Sequence, residues 1–410
     1  MIKYYPLRVL LIFLVFTEVL FFIGPTKYTI GNSVVLAFYL IIVNLALFWG
    51  YSLGVKRFVP TTHKINDTAV HIFLIIGLIS IIRTTINSWA NHGLSFSFDT
   101  VVNSILNPGE AYHSEGDVYH GNFIDMTLLY PFRYTIIPLG LYYWKRLPIV
   151  YKGVVITGIM LQIIHGLGVG VRKQVLDVIL IFFFTILAIK PHMIETPQGR
   201  RRIKLVVFFV VSIFLVYFIF SHASRYGYGL NEILLLSGEE PREIYTRHLP
   251  SWLVYSLQSI TSYLCQGYYA LAKGLEMGIK KIAMFGDSWV SIYYSKKFFG
   301  FDPTPMTYMA SLEPLGIDMR VNWHTMYLWL ANQYTFIGVP FIIFIIGYFF
   351  AQTWNDVVYG KNGYSVIMIS FFIIMVFYMF ANNQVFSDSA VSFWLWFIIY
   401  QLSRNKTATT

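Results

Sequence analysis

Charge is scarce in this sequence. Asp, Glu, Lys and Arg make up 12% of its 410 residues, where a soluble domain carries about 25%. So little charge is too thin a coat for a water-soluble surface of this length. Cysteine occurs once, at Cys265, which excludes an internal disulfide and any Cys-rich metal or redox motif. The H-E-x-x-H, Walker A, G-x-S-x-G and G-x-G-x-x-G patterns are missing, which removes zinc proteolysis, NTP-driven work and nucleophile-elbow esterase chemistry. "HSEGD" and "YHGNFID" contain possible metal ligands, but their spacing matches no closed site, so neither metal nor cofactor is expected. No Lys/Arg-rich block interleaved with aromatics exists. The net charge of +10 is therefore not read as a nucleic-acid footprint, and the one tight cluster, "RRR" at 200–202, adjoins an apolar run. No internal repeat is evident, which weighs against a transporter built from paired halves.

Apolar residues are abundant, at 56%, and mean hydropathy is +0.59. Runs of about 17 or more such residues recur, each long enough to cross a hydrocarbon core of about 30 Å. Barrel-forming strands would show short alternating segments instead. The fold class is thus all-α polytopic membrane protein with about ten transmembrane helices. The spans lie near 7–24, 33–54, 68–88, 125–144, 151–170, 174–190, 204–222, 337–353, 364–382 and 388–403. The first run, "LRVLLIFLVFTEVLFFIG", is too long for a signal-peptide core and lacks an A-x-A-like site, so it is read as an uncleaved span.

Alternate connections sort by charge. One set holds Lys3, Arg8, Lys56, Arg57, Lys64, Lys145, Arg146, Lys152, Lys190, Arg200, Arg201, Arg202, Lys204, Lys361, Arg404 and Lys406, against Asp67, Glu195 and Asp356. The other set carries Glu110, Glu115, Asp117, Glu239, Glu240 and Glu243. The positive-inside rule then places both termini in the cytoplasm. The chain divides into helices one to seven (1–222, with an outward loop at 89–124), a large outward loop at 223–336, and helices eight to ten with a cytoplasmic tail (337–410). The 89–124 segment is polar, with turn residues, and fits a surface loop. Within the large loop, residues 251–277 read as an amphipathic helix lying on or dipping into the outer surface. "MRVNWHTMYLWLANQYTFIG" resumes helical periodicity into span eight.

Several arginines fall toward the outward leaflet, where loop cations are disfavoured. Arg83 lies between one and two turns below the outer end of span three, and Arg133 about two turns below that of span four, between Pro131 and Pro138. Arg172 caps the connection between spans five and six, Arg225 follows span seven, and Arg320 stands four residues before His324. Those last two share a face if that stretch is helical. Lys173 and Asp177 have the i,i+4 spacing of a simple ion pair. Ionisable groups at membrane depth cost several kcal/mol unless paired or hydrated, which makes them functional candidates. Arginine is the preferred bidentate partner of phosphate oxygens, so a lipid diphosphate is the natural tenant of such a cluster. Glu18, within span one, reads as a buried partner for an arginine.

Three segments carry a family resemblance. "HGLGVGVRKQVLDVILIFFFTILAIK", "FSHASRYGYG" and "NWHTMYLWLANQYTFIGVPFIIF" resemble stretches of the bacterial O-antigen polymerases (Wzy-type oligosaccharide repeat-unit polymerases), which are related to O-antigen ligases. Hydropathy, loop position and length agree along the whole chain. The resemblance implies a GT-C-like glycosyltransferase of the bacterial inner membrane, working at the periplasmic face on an undecaprenyl-diphosphate-linked oligosaccharide. It implies transfer of the growing glycan to the non-reducing end of another lipid-linked repeat unit, without metal, and a chain-length regulator protein as a further partner. Arg172 matches the family's Gly-rich arginine, with an implied role on the diphosphate shared with Arg83, Arg133, Arg225 and Arg320. His324 stands where related ligases carry a proposed base; their pattern has Asn directly after His, whereas Thr325 follows here and Asn322 precedes. A ligase-type transfer and, from a different class, a flippase or exporter of lipid-linked glycan are the alternatives. The long outward loop disfavours the exporter.

Overall fold

The computed structural model describes residues 2–91, 97–107, 125–168, 172–226, 239–278, 280 and 282–405. Eleven of its helices are labelled here. They are α1 (Tyr5–Ile23), α2 (Ser33–Lys56), α3 (Asp67–Asn91), α4 (Ile149–Gly168), α5 (Arg172–Ile189), α6 (Pro197–Tyr226), α7 (Ser251–Glu276), α8 (Trp289–Phe299), α9 (Met326–Asn355), α10 (Gly363–Phe377) and α11 (Ala390–Asn405). Among the described residues, seven segments are long and apolar enough to cross a membrane: Ile2–Ile23, Ser33–Lys56, Asp67–Ala90, Ile149–Gly168, Pro197–Phe220, Met326–Gly360 and Gly363–Phe380. The chain is an all-α membrane protein.

The other three expected spans are helical but of a different kind. Residues 125–144 form a π turn at Asp125–Leu129, a short helix at Tyr130–Arg133 and another at Ile136–Tyr142. Pro131 and Pro138 each remove a backbone donor there, so the segment breaks into pieces. Helix α5 carries Arg172, Lys173 and Asp177 in its first two turns, and α11 is only 16 residues long. One further departure lies in the 89–124 segment. Residues Phe98–Leu106, expected as surface loop, are a helix whose first turn is capped by Ser97, whose hydroxyl accepts from the Thr100 amide at 3.2 Å.

Helices α2 and α9 pack closest of all. A Cβ at Gly50 would run into the Phe344 carbonyl, one at Gly54 into the Tyr348 carbonyl, and one at Gly347 would lie 2.5 Å from the Leu47 carbonyl. Gly50 and Gly54 form the G-x-x-x-G of "GYSLG", the spacing that lets two membrane helices bring their backbones together. Helix α9 is interrupted at Thr335, whose φ of 59° and ψ of 166° are non-helical. Its first residues, Met326–Ala331, before the break, are all buried.

The two ends of the bundle differ in what they gather. At one end Trp354 donates to the Ile2 carbonyl at 3.1 Å, Tyr51 to the Lys3 carbonyl at 2.7 Å, and the Gly363 amide to the His63 carbonyl at 2.8 Å. The fully buried Asp356 accepts from the Thr61 amide and hydroxyl, from Tyr400 at 2.7 Å and from Arg404 at 3.0 Å. At the other end, Thr26–Tyr28 pairs antiparallel with Glu239–Pro241, and Arg242 and Tyr245 donate to the carbonyls of Phe22 and Ile23. The segments sorted by charge into one set thus meet one another at one end of α1, and segments of the other set meet at its opposite end.

The expected amphipathic helix is α7. It packs against α1, α2 and α9, with Tyr268 bonded to Thr17 at 2.9 Å and the Glu276 carboxylate accepting from the Gly31 amide at 2.6 Å. Its apolar and small face is buried from Cys265 through Ala272 apart from the half-buried Gln266.

Candidate functional site

A polar cleft opens between α3, α4, α5 and the broken fourth span. Thr84 and Thr85 come from α3, Arg133 and Tyr134 from the break, Gln162 and His165 from α4, and Gln174 and Asp177 from α5. Arg133 ends the short Tyr130–Arg133 helix, which Tyr134 and Thr135, both still in the right-handed helical region, join to Ile136–Tyr142. The guanidinium lies over the rings of Tyr134 and Tyr130, at 5.1 and 5.7 Å, so aromatic faces support the cation where water is thin. On α5, Lys173 and Asp177 form the ion pair their spacing predicts, at 2.9 Å, and Lys173 also lies over the ring of Tyr378 at 5.6 Å.

The outward arginines are not all gathered here. Arg133 lines the cleft. Arg83 is exposed on α3, one position before the two threonines that line it. Arg172 begins α5 and Arg225 lies in the last turn of α6, and the side chains of both fall outside the described residues. Arg320 is elsewhere: it is exposed in a turn whose Asp318 carboxylate accepts from the Arg320 amide at 2.6 Å, beside Glu313.

The helical reading of the Arg320–His324 stretch needs correction. Helix α9 starts only at Met326, capped by the Thr325 hydroxyl, and residues 319–325 are turn and extended chain. Asp318 sets that turn by capping the amides of Arg320 and Val321. The two side chains therefore share no helix face.

His324 is wholly buried. Its amide donates to the Asn382 carboxamide oxygen at 2.9 Å, its carbonyl accepts from the Asn382 amide, and neither ring nitrogen meets a hydrogen-bond partner of good geometry. Burial holds the ring pKa down to about 4, against a smaller upward push from the Asn322 backbone and the Asp318 carboxylate. In this arrangement the ring is a neutral, enclosed group, without a path to an acceptor hydroxyl.

Two features of this outer layer escape sequence reasoning. The first is the turn at 378–383, which links the cleft to the loop layer. Tyr378 meets Lys173, Asn382 holds both His324 and the Trp329 indole (3.1 Å), and Asn383 donates to the Asp287 carbonyl at 2.9 Å. Asn382 has a φ of 57°, a conformation asparagine tolerates better than most residues. The paired "NN" after an apolar run was the available signal. The second is Asp287, a half-buried carboxyl in "FGDSW", whose pKa burial pushes up while a hydrogen bond from Ser291 pulls it down. A helix start at Ser288 was visible in that string; the burial of the acid before it was not.

Glu18 also differs from its expected pairing. Both its carboxylate oxygens accept from the Asn44 carboxamide at 2.9 Å, and no arginine contacts it among the described residues. Among the described residues no group of three or more His, Cys, Asp or Glu side chains is placed to hold a metal ion. Comparison with models of known families, with curated proteins and with solved structures finds no match.

Proposed function

We propose that the protein is a GT-C-like membrane glycosyltransferase that joins oligosaccharide repeat units carried on a polyprenyl diphosphate. Both termini face the cytoplasm and the reaction occurs at the opposite, periplasmic surface of a bacterial inner membrane. The observation that carries this reading is the cleft at membrane depth, lined by Arg133 and by amide and hydroxyl side chains from three neighbouring helices. Arginine matches phosphate geometry bidentately, and a low-dielectric surround strengthens that interaction. A glycosyl diphosphate leaves readily once its charge is neutralised, so preorganised cations at the leaving group serve the transfer directly. Arg172, at the start of the helix that also lines the cleft, is the second cation assigned to the diphosphate. The resemblance to O-antigen polymerases is the ground for naming polymerisation; transfer to a ligase's acceptor is the nearest competing reading.

The test is reconstitution of the purified protein in proteoliposomes with a lipid-linked repeat unit. A ladder of lengthening glycans is expected, and Arg133→Ala is expected to slow it by roughly 100-fold or more, the cost of removing one group that stabilises a leaving charge. Movement of the lipid-linked unit across the bilayer with no new glycosidic bond would instead identify an exporter.

A further inference from the structure

The chemistry proposed above needs a group that takes a proton, and the enclosed His324 has no route to one. This inference therefore rests on that functional reading and asks which residue of the outer layer does the work. Its carboxylates can be taken in turn. Glu239 accepts from Ser262 at 2.7 and 2.9 Å, Glu240 pairs with Lys27, Glu243 with Arg247, Glu276 with Lys273, and Asp302 with Lys296. Asp318 caps a turn. Asp287 is the half-buried acid that enters no ion pair among the described residues.

Its backbone, by contrast, is held on every side. Asn332 donates to the Gly286 carbonyl at 2.8 Å, and its own carbonyl accepts from the Ala283 amide at 2.8 Å. Asn383 donates to the carbonyl of Asp287 itself, and the next residue, the wholly buried Ser288, is the N-cap of α8. Two residues earlier Phe285 is fixed at a φ of 64°, a conformation costly for a bulky side chain. So rigid a mount for a carboxyl that is hydrogen-bonded by the Ser291 hydroxyl and its own backbone, with no cation paired to it among the described residues, is the arrangement of a preorganised functional group. Its neighbourhood is the right one. Asn383 belongs to the turn that reaches Lys173 through Tyr378, and α8, which begins two residues after Asp287, carries Tyr294 beside Thr127 of the segment leading to Arg133.

We infer that Asp287 is the general base of the transfer. Its carboxylate takes the proton from the acceptor sugar's hydroxyl as that oxygen bonds to the donor's anomeric carbon. The bond from that carbon to the diphosphate oxygen breaks, and the electron pair leaves with the diphosphate. A carboxyl whose affinity for protons is raised by burial suits this task, because base strength is best set near the working pH.

The experiment compares wild type, Asp287→Asn, Asp287→Glu and Asp287→Ala in proteoliposomes with the lipid-linked repeat unit. Asp287→Asn is expected to slow ladder formation roughly 100-fold or more while binding of the lipid-linked unit, read by native mass spectrometry, stays within about twofold of wild type. Asp287→Glu should recover part of the rate. Added formate should raise the rate of Asp287→Ala and leave wild type unchanged, a response that a purely structural role does not produce. An Asp287→Asn rate within about threefold of wild type overturns the assignment, as does an Asp287→Ala enzyme that ignores formate. A wild-type protein that makes no ladder overturns the functional reading itself.

Discussion

Lowering the pH should destabilise this protein through one residue, and the size of the effect follows from its surroundings. His324 is wholly buried, with no hydrogen-bond partner of good geometry at either ring nitrogen, and its pKa falls from 6.5 to about 4. Between those values the unfolded chain binds a proton that the folded one refuses. The stability this residue contributes is therefore full above its unfolded pKa and lost as pH falls toward the folded one. The whole shift is worth about 3 kcal/mol, and about 2 kcal/mol of that disappears between pH 7 and pH 5. The measurement is the unfolding free energy in lipid–detergent micelles titrated with dodecyl sulfate, whose headgroup stays charged at both pH values. Other groups also respond to pH, so the readout is the difference between wild type and His324→Leu. The leucine fills a similar volume and cannot titrate, so its loss of stability on acidification should be smaller by about 2 kcal/mol. Equal pH dependence in the two proteins would refute the argument that the ring is sealed and neutral.

Two more outcomes are expected. Gly50→Ala should lower the same unfolding free energy by about 1–3 kcal/mol, because its Cβ meets the Phe344 carbonyl, whereas Gly153→Ala, with open space around it, should be neutral or stabilising by up to about 1 kcal/mol; a Gly50→Ala protein as stable as wild type would sink the close-packing account. The native Cys265 thiol, buried and pushed up in pKa, should resist an impermeant maleimide, while a cysteine at the exposed Arg247 reacts from outside the cell and one at the exposed Lys361 only after permeabilisation; the reverse pattern would invert the orientation.

The membrane spans were legible because hydropathy is a local property, averaged over residues that all lie in one helix. The partition of loops into two sets was legible for a similar reason, since Lys and Arg report on their own connection alone. Pro131 and Pro138 even marked where the fourth span breaks. Reading failed where burial depends on a distant partner. His324 is enclosed because Asn382, 58 residues away, clamps its amide and carbonyl, and nothing in "NWHTM" announces that. Asp287 looked like an ordinary loop acid until Asn332 and Asn383 were seen to fix its backbone. The "GYSLG" of α2 was a readable signal, but its meaning required knowing that Gly347 would face it across the interface.

The buried carboxylate Asp356, at the end of the bundle that gathers the N-terminus, has a consequence for biogenesis. Asp356 is translated 48 residues before Arg404, the cation that neutralises it. Thr61, made far earlier, can already offer its amide and hydroxyl when Asp356 emerges, so the carboxylate is partly solvated while it waits. Closure comes only when α11 packs and brings Tyr400 and Arg404 to the carboxylate. A chain stalled before that helix holds the acid without its cation.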